Sequence, residues 1–218
     1  MNVVVIYAHP YDGSFCKGIL DTVVCHLESR EDVVFKVKDL VKMNFDPVMR
    51  ANDLKATKTK IYTDAVQAEQ KDILWADVLI TINPVWFGSM PGFMKGYFDK
   101  VFISGFAYDH SGGLLQDKRI FSLFTFGASD PYIDLVNQYK IIDYQWDNLF
   151  GMVGFKDIAK KYFQSVPYVS NEKRQDYLKQ TETFINLLFE TKLGELGPSG
   201  NAELLTKLVS QGYLNGKI

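Results

Sequence analysis

The amino-acid sequence predicts an α/β fold built on a doubly wound, five-stranded parallel sheet with helices on both faces. Five short runs rich in β-branched and aromatic residues alternate with longer segments whose apolar residues recur at helical spacing, which is typical of parallel sheets. The first run, Val3-Val4-Val5-Ile6-Tyr7, is apolar at every position, as expected for a strand that is covered on both faces. Right-handed crossovers between such strands give the doubly wound arrangement.

The predicted elements follow one another in order along the chain. Strands are predicted over residues 3–7, 33–37, 77–82, 120–126 and 158–166, and helices over residues 15–27, 63–76, 91–98, 133–150 and 172–188. Ser14 is a suitable N-cap for the first helix, and Pro91 begins the third at the first helical position, which proline favours. Residues 41–62 contain Asn44, Asp46 and Pro47 and then a polar stretch with several lysines, so they are predicted to be irregular.

The length of 218 residues suits one domain with an extension. We predict a domain over residues 1–190, followed by a linker and a short helical tail over residues 191–218. The linker prediction rests on three glycines and one proline within residues 194–201, and the tail prediction rests on an apolar stripe. The stripe comprises Leu204, Leu205, Leu208 and Val209.

The composition limits the classes of binding partner and the cellular compartment that we expect. The 24 basic and 26 acidic residues give a net charge of −2, which supplies no electrostatic reason to bind nucleic acid or an anionic membrane surface. The two cysteines, Cys16 and Cys25, lie outside any Cys-x-x-Cys or metal-ligand pattern, so we expect reduced thiols in the cytoplasm and no bound metal. No segment resembles a signal peptide or reaches the ~20 apolar residues that span a bilayer, so no membrane insertion is expected.

Aromatic residues are abundant, with 16 Phe, 12 Tyr and 3 Trp making up 14% of the chain. Either the core is rich in rings or some of the rings face a flat ligand. Ligands of open α/β sheets bind beyond the carboxyl ends of the strands, which directs attention to residues 9–15, 83–91 and 125–132. These segments carry four candidate rings. The rings belong to Trp86, Phe87, Phe126 and Tyr132.

The first of these segments enters a helix whose free N–H groups suit a phosphate. It contains neither G-x-G-x-x-G nor G-x-x-x-x-G-K-[ST], so the nicotinamide-type and triphosphate fingerprints are absent. Ser14 either contacts a phosphate or only caps the helix, and Cys16 lies at the helix start, where thiols gain acidity. In the second segment, Trp86 and Phe87 beside Gly88 either stack on a planar ligand or pack in the core.

An ordered set of short motifs extends over residues 2–135. The set comprises Ala8-His9-Pro10 with Ser14-Phe15, Asp39-Leu40 with Met43-Asn44-Phe45-Asp46-Pro47, Ala68-Glu69-Gln70, Pro84-Val85-Trp86-Phe87-Gly88-Ser89-Met90-Pro91, Lys95-Gly96-Tyr97-Phe98-Asp99-Lys100-Val101 and Gly105-Phe106-Ala107-Tyr108. In these motifs and in their order the chain resembles the NAD(P)H:quinone oxidoreductase family of the flavodoxin-like fold. The resemblance implies the strand order 2-1-3-4-5 and a flavoenzyme.

The resemblance also implies a ping-pong reaction. In this family a reduced nicotinamide, NADH or NADPH, gives a hydride to the flavin N5 and leaves, and a quinone or similar flat acceptor then takes the electrons. The implied cofactor is FAD, with FMN as the alternative. The implied assembly is a homodimer with the substrate pocket at its interface.

Roles for individual residues follow from the same resemblance. It places the flavin phosphates near His9, Ser14, Phe15 and Cys16. It places the flavin ring and ribityl chain along Pro84, Val85, Trp86, Phe87, Gly88, Thr125, Phe126 and Gly127. It gives a substrate pocket formed by Trp86, Tyr108, Tyr132 and Gln138, with Tyr132 as the catalytic residue.

The chain departs from the family at several of these positions. Gln138 stands where the better-known eukaryotic members have a histidine that assists proton handling, and an amide does not titrate. Tyr132 or solvent is then left to move the proton. Cys16 replaces an asparagine of the family, and Phe126-Gly127 replaces paired glycines, which narrows the expected space over the flavin.

A non-enzymatic alternative stays open. A flavodoxin-like chain also serves as an electron carrier or as a flavin-binding regulatory protein, for example an ancillary subunit of a potassium efflux system. The excursion over residues 41–62 and the segment from Phe106 to Gly113 favour an enzyme, because a carrier needs no substrate wall. Ser14-Phe15-Cys16-Lys17 also matches S-x-x-K, but the companion S-D-N and K-T-G elements are missing, so an acyl-enzyme is rejected.

Overall fold

The computed structural model describes residues 1–197. Its strands are β1 (Asn2–Tyr7), β2 (Val34–Asp39), β3 (Val78–Pro84), β4 (Tyr108–Asp109), β5 (Gly112–Gly113), β6 (Arg119–Thr125) and β7 (Asp157–Phe163). Five strands form a parallel sheet in the order β2-β1-β3-β6-β7, while β4 and β5 pair as a short antiparallel ribbon. Because β4 and β5 lie outside the sheet, this order equals the predicted 2-1-3-4-5, and the fold prediction is confirmed.

Helices cover both faces of the sheet in the described part of the chain. They are α1 (Phe15–Glu28), α2 (Ala51–Thr59), α3 (Asp64–Trp75), α4 (Gly92–Val101), α5 (Asp130–Leu135), α6 (Gln138–Met152) and α7 (Asn171–Glu190). Residues of α1 and α7 pack on one face, and residues of α3, α4 and α6 pack on the other. The sheet is therefore shielded from water on both sides, as a doubly wound arrangement requires.

Alternate residues of β1 enter two separate cores. Val3, Val5 and Tyr7 pack in the cluster that contains α1 and α7, whereas Val4 and Ile6 pack in the cluster that contains α3, α4 and α6. All five residues are 0% exposed. Successive side chains of a strand point to opposite faces, so a strand covered on both faces buries apolar residues at every position.

Serines cap two of the helices, and one of them, Ser14, was predicted to do so. The Ser14 hydroxyl accepts a hydrogen bond from Lys17 N at 3.2 Å, and the Ser170 hydroxyl accepts one from Lys173 N at 3.2 Å. These contacts satisfy N–H groups that have no partner within the helix. Pro91 is the N-cap of α4 and not its first residue, one position from the prediction.

Three boundary predictions are wrong. Residues 41–62 contain α2, whose one buried residue is Ala56, so the segment lacks the apolar stripe that reveals a helix. The single helix predicted over residues 133–150 is two helices, because Asn137 takes a left-handed conformation (φ 53°) between α5 and α6. The last strand ends at Phe163, and the left-handed Ser165 (φ 52°) interrupts the extended backbone after it.

Residues 191–197 are bound to the amino-terminal edge of the sheet. Asp157, the first residue of β7, accepts from the N–H groups of Gly194, Leu196 and Gly197 at 2.9 to 3.0 Å and from Arg119 Nε at 2.8 Å. The first part of the predicted linker, residues 191–197, therefore contacts the domain. The apolar stripe predicted within residues 204–209 lies outside the described residues. Within residues 1–197, no helix is long and apolar enough to cross a membrane.

Candidate active site

A cavity of about 870 Å³ opens at the carboxyl ends of β1, β3 and β6. The three segments that the sequence singled out meet there, together with the loop after β7. Ten of the twelve residues predicted to bind the cofactor line this cavity. They are His9, Ser14, Phe15, Cys16, Pro84, Val85, Trp86, Thr125, Phe126 and Gly127.

The start of α1 supplies backbone donors at the cavity. The N–H groups of Phe15 and Cys16 lie in the first helical turn, where the helix itself offers them no carbonyl. Ser14 caps the helix through Lys17 N, so the capping interpretation is confirmed. The first turn of α1 has no acidic residue, and no Asp or Glu of residues 1–197 lines the cavity. This part of the cavity therefore favours an anionic group.

His9 adds a further donor to the same region. Burial lowers the pKa of His9 below its ordinary value, which favours the neutral imidazole. Nδ1 of His9 accepts from Tyr11 N at 3.1 Å, which leaves the ring proton on Nε2. The imidazole meets the Trp86 ring edge-on, with centroids 5.8 Å apart. His9 thus places an N–H donor next to an aromatic wall.

Cys16 does not carry the acidic thiol expected at a helix start. Cys16 is 1% exposed, and its Sγ lies 3.1 Å from Oγ1 of Thr125, which follows 109 positions later in the chain. Burial raises the pKa of the thiol to about 12, because a thiolate would lose its hydration there. The expectation of increased acidity is therefore wrong. Cys16 instead joins α1 to the end of β6 as a neutral group.

Residues 86–89 form a tight turn beside the cavity. Trp86 and Ser89 exchange two backbone hydrogen bonds of 2.9 and 3.1 Å, and both central residues are left-handed, Phe87 at φ 46° and Gly88 at φ 81°. Two consecutive positive φ values are characteristic of a type I′ turn. Trp86 lines the cavity, whereas Phe87 and Gly88 do not. The turn leaves the Phe87 side chain fully exposed to solvent.

The end of β6 forms another side of the cavity. Val85 N donates to Thr125 O at 2.8 Å, which joins the second and third segments. Phe126 is 4% exposed and packs edge-on against Tyr139 of α6, with centroids 5.7 Å apart. A Cβ built on Gly127 would meet no atom within 4 Å, so a ligand can approach the backbone closely there.

Three of the residues predicted for the substrate pocket lie outside the cavity lining. Tyr132 is in α5 and is 57% exposed. Tyr108 is half-buried in β4, where it pairs with Gly113 of β5. Gln138 begins α6, and its Nε2 donates to Gly88 O at 2.9 Å. The structure therefore brings most residues that were predicted to bind the cofactor together in one cavity, but it does not do so for the residues that were predicted to form the substrate pocket.

The loop after β7 and the start of α7 were not predicted to belong to the site. Val166, Pro167 and Arg174 also line the cavity. Arg174 donates from Nε and Nη2 to Val166 O at 3.3 and 3.2 Å and from Nη2 to Pro167 O at 3.2 Å. These bonds hold a guanidinium at the cavity. The same loop follows the carboxyl end of a parallel strand, so the rule that found the other segments identifies it as well.

Comparison with known proteins gives the family of this chain. A family model described as flavodoxin-like fold matches residues 1–185. The chain belongs to the flavodoxin-like fold family. An uncharacterized NAD(P)H oxidoreductase from Haemophilus influenzae is 28% identical over 181 residues, which cover 80% of this chain and 89% of that protein. A ribosyldihydronicotinamide dehydrogenase (quinone) from Pongo abelii is 29% identical over 199 residues, which cover 80% of this chain and 86% of that protein.

Solved structures share the flavodoxin-like fold with this chain. An NAD(P)H:quinone oxidoreductase from Methanothermobacter marburgensis matches with a TM-score of 0.78 at 22% identity, covering 88% of this chain and 98% of that chain. An FMN-dependent NADH-azoreductase from Bacillus anthracis, in complex with FMN, matches with a TM-score of 0.68 at 17% identity, covering 86% and 98%. The resemblance predicted from the motifs is confirmed, and the predicted enzyme class, an oxidoreductase, is the one that the named relatives carry.

Proposed function

We propose that this flavodoxin-like chain is a flavin-dependent NAD(P)H oxidoreductase that delivers electrons to a quinone or similar flat acceptor in a ping-pong reaction. One observation carries the proposal: a single cavity combines the anion-favouring start of α1 with an aromatic wall at Trp86. A flavin nucleotide needs both, because it joins a phosphate to a flat ring system. The relatives named as NAD(P)H oxidoreductase and quinone dehydrogenase support the same class.

The residues of the cavity fit both parts of a flavin. Nε2 of His9, the Ser14 hydroxyl and the N–H groups of residues 15–16 would hold the phosphate, and no carboxylate of the described cavity lining opposes it. Residues 84–86 and 125–127 would lie along the ring and the ribityl chain. The open space beside the Gly127 backbone gives a flat ring close access.

We propose FAD as the cofactor, with FMN as the alternative. The cavity also reaches Val166, Pro167 and Arg174, which are not needed for the first phosphate. A guanidinium in that position suits a second phosphate, and it supports the larger cofactor. The FMN bound to the azoreductase from Bacillus anthracis supports the smaller one.

Tyr132 is our candidate for the catalytic residue, and Tyr108 for part of the substrate wall. When bound, a flavin supplies a ring that accepts a hydride from the nicotinamide and releases electrons to the acceptor. The proton that accompanies these electrons comes from Tyr132 or from water, because Gln138 has no titrating group and its amide is bonded to Gly88 O.

A homodimer would complete the substrate pocket. Phe87, Tyr132 and Leu135 are exposed in the segments that follow β3 and β6, and Tyr108 lies outside the cavity lining of a single chain. Exposed aromatic and apolar side chains around a ligand site suit a second copy of the chain. Both cysteines are free, which supports the proposed cytoplasmic location.

Reconstitution followed by turnover tests the function. The purified chain is incubated with FAD or FMN, separated from free cofactor, and the cofactor released on denaturation is identified by mass spectrometry. The loaded protein is then assayed for oxidation of NADH and NADPH with a benzoquinone. We expect near-stoichiometric flavin and acceptor-dependent turnover, both weakened by Trp86→Ala. Trp75→Ala is the matched control, because Trp75 ends α3 and does not line the cavity.

The outcomes separate the candidate functions. A chain that takes up neither FAD nor FMN contradicts the cofactor proposal. Flavin uptake without turnover contradicts the reductase and favours an electron carrier or a flavin-binding regulatory protein.

A further inference from the structure

The 86–89 turn is held in a conformation that its own sequence disfavours. Type I′ turns are dominated by Gly, Asn and Asp at their two central positions, because both φ values are positive. Here the first central position is Phe87 at φ 46°. Its ring is fully exposed, so no packing of that ring against residues 1–197 compensates for the strained backbone. Contacts from elsewhere in the chain are needed to hold the turn.

Helix α6 supplies those contacts from two glutamines. Gln138 Nε2 donates to Gly88 O at 2.9 Å, and Gln145 Oε1 accepts from the Ser89 hydroxyl at 3.2 Å. The two glutamines are seven positions apart, which is close to two helical turns, so they project from the same face of α6. Gly88 packs closely against this face, since a Cβ built on it would lie 3.2 Å from Gln138 Oε1.

We propose that Gln138 and Gln145 are positioning residues that clamp the 86–89 turn and thereby fix the Trp86 wall of the cavity. Gln138 acts on the backbone carbonyl of Gly88, and Gln145 acts on the Ser89 side chain, so the two contacts restrain both residues that follow Phe87. Because neither amide titrates, the clamp holds independently of pH. Its effect on flavin binding rests on the proposed function, whereas its effect on the turn does not.

The test separates the donated hydrogen bond from simple packing. Gln138→Met removes the donor and keeps an unbranched side chain of similar length. Gln138→Glu keeps the size and shape of glutamine but turns a carboxylate towards the Gly88 carbonyl. A clamp that depends on the donor is weakened more by glutamate than by methionine, whereas a side chain that only fills space tolerates glutamate better. Gln180→Met is the matched control, because the Gln180 amide pairs with Asp176 of α7.

Fluorine NMR reads the turn directly. Trp75, Trp86 and Trp146 are the three tryptophans of the chain, and 5-fluorotryptophan labelling with single Trp→Phe variants assigns their three signals. Gln145→Met removes the contact with the Ser89 hydroxyl. We expect only the Trp86 signal to shift or broaden, with the largest change in Gln138→Glu, a smaller one in Gln138→Met and the smallest in Gln145→Met. We expect flavin titration, with FAD and FMN as the probes, to show about tenfold weaker binding for Gln138→Met, equivalent to about 1.4 kcal/mol.

Each outcome decides the proposal. An unchanged Trp86 signal in Gln138→Met, or a milder effect of glutamate than of methionine, overturns the clamp. Movement of all three signals together shows a general loss of packing and overturns a local clamp as well. If the wild-type chain binds no flavin, the proposed function fails, while the fluorine signals still test the clamp.

Discussion

Replacing Phe87 with asparagine measures the strain in the 86–89 turn. Phe87 is left-handed at φ 46°, a conformation that costs an ordinary L-residue about 1–2 kcal/mol and that asparagine tolerates well. The Phe87 ring is fully exposed, so its removal uncovers no buried apolar surface within the chain. Asparagine before glycine is also the preferred pair for a type I′ turn. We therefore expect Phe87→Asn to raise the free energy of unfolding by about 1 kcal/mol.

Urea denaturation followed by circular dichroism measures the effect, and Phe87→Ala is the matched control. Alanine removes the same ring but keeps the left-handed strain, so its free energy of unfolding should stay within about 0.5 kcal/mol of the wild type. For a chain of this size, 1 kcal/mol corresponds to a rise of about 2–4 °C in the midpoint of thermal unfolding. If the left-handed backbone at position 87 is strained, the asparagine variant has a higher free energy of unfolding than the alanine variant.

One result would refute this reasoning. Equal stability of the asparagine and alanine variants shows that the left-handed backbone carries no measurable cost. A loss of stability in both variants that grows with protein concentration shows instead that the ring is buried between subunits of the proposed homodimer, because the stability of a dimer depends on protomer concentration. Since both variants lack the ring, the difference in stability between them then still measures the strain.

Three further predictions concern the cavity. Iodoacetamide at about pH 8 should alkylate the exposed Cys25 and spare the buried Cys16, whose pKa is raised to about 12, and mass spectrometry with and without urea checks this. Gly127→Val should weaken flavin binding at least about tenfold without unfolding the chain, as measured by flavin titration. Gly92→Val is the control and should leave binding unchanged, because a Cβ at Gly92 also meets no atom within 4 Å but Gly92 does not line the cavity. Because folding lowers the pKa of His9, the unfolded chain takes up the proton first as the pH falls. The contribution of His9 to the free energy of unfolding is therefore present above about pH 6.5 and is lost as the pH falls. We expect His9→Asn to reduce the fall of the urea midpoint with decreasing pH, and an unchanged pH dependence of the midpoint contradicts this prediction.

The sheet was predictable because burial dictates its sequence. Each strand of the sheet interior removes side chains from water on two faces, so most of its residues are apolar whichever face they occupy. Helix α2 was not predictable in this way, since Ala56 is its one buried residue and no apolar stripe marks it. The break at Asn137 was not predictable for the opposite reason. The apolar pattern continues across Asn137, whereas the helical conformation of the backbone does not.

The candidate site was predictable as a set of loops but not as a set of contacts. Parallel strands bring their carboxyl ends to one edge, and the three segments that this rule picks out hold twelve of the residues that line the cavity. The contact between Cys16 and Thr125 joins residues 109 positions apart. The local position of Cys16 at a helix start predicts an acidic thiol, but its burial decides the pKa in the other direction. Burial depends on the whole fold, so it cannot be predicted from a local motif.

The start of α6 shows why the departure from a continuous helix matters for the site. Gln138 contacts Gly88 in the segment after β3, and the next residue, Tyr139, packs against Phe126 in the segment after β6. Neighbouring residues of a helix point about 100° apart, so one helical turn contacts both of the segments that carry cavity residues. The left-handed Asn137 separates α5 from α6 and sets where α6 begins. The residue that made the helix prediction fail therefore also sets which residues of α6 pack behind the candidate site, and local rules are most often broken at such places.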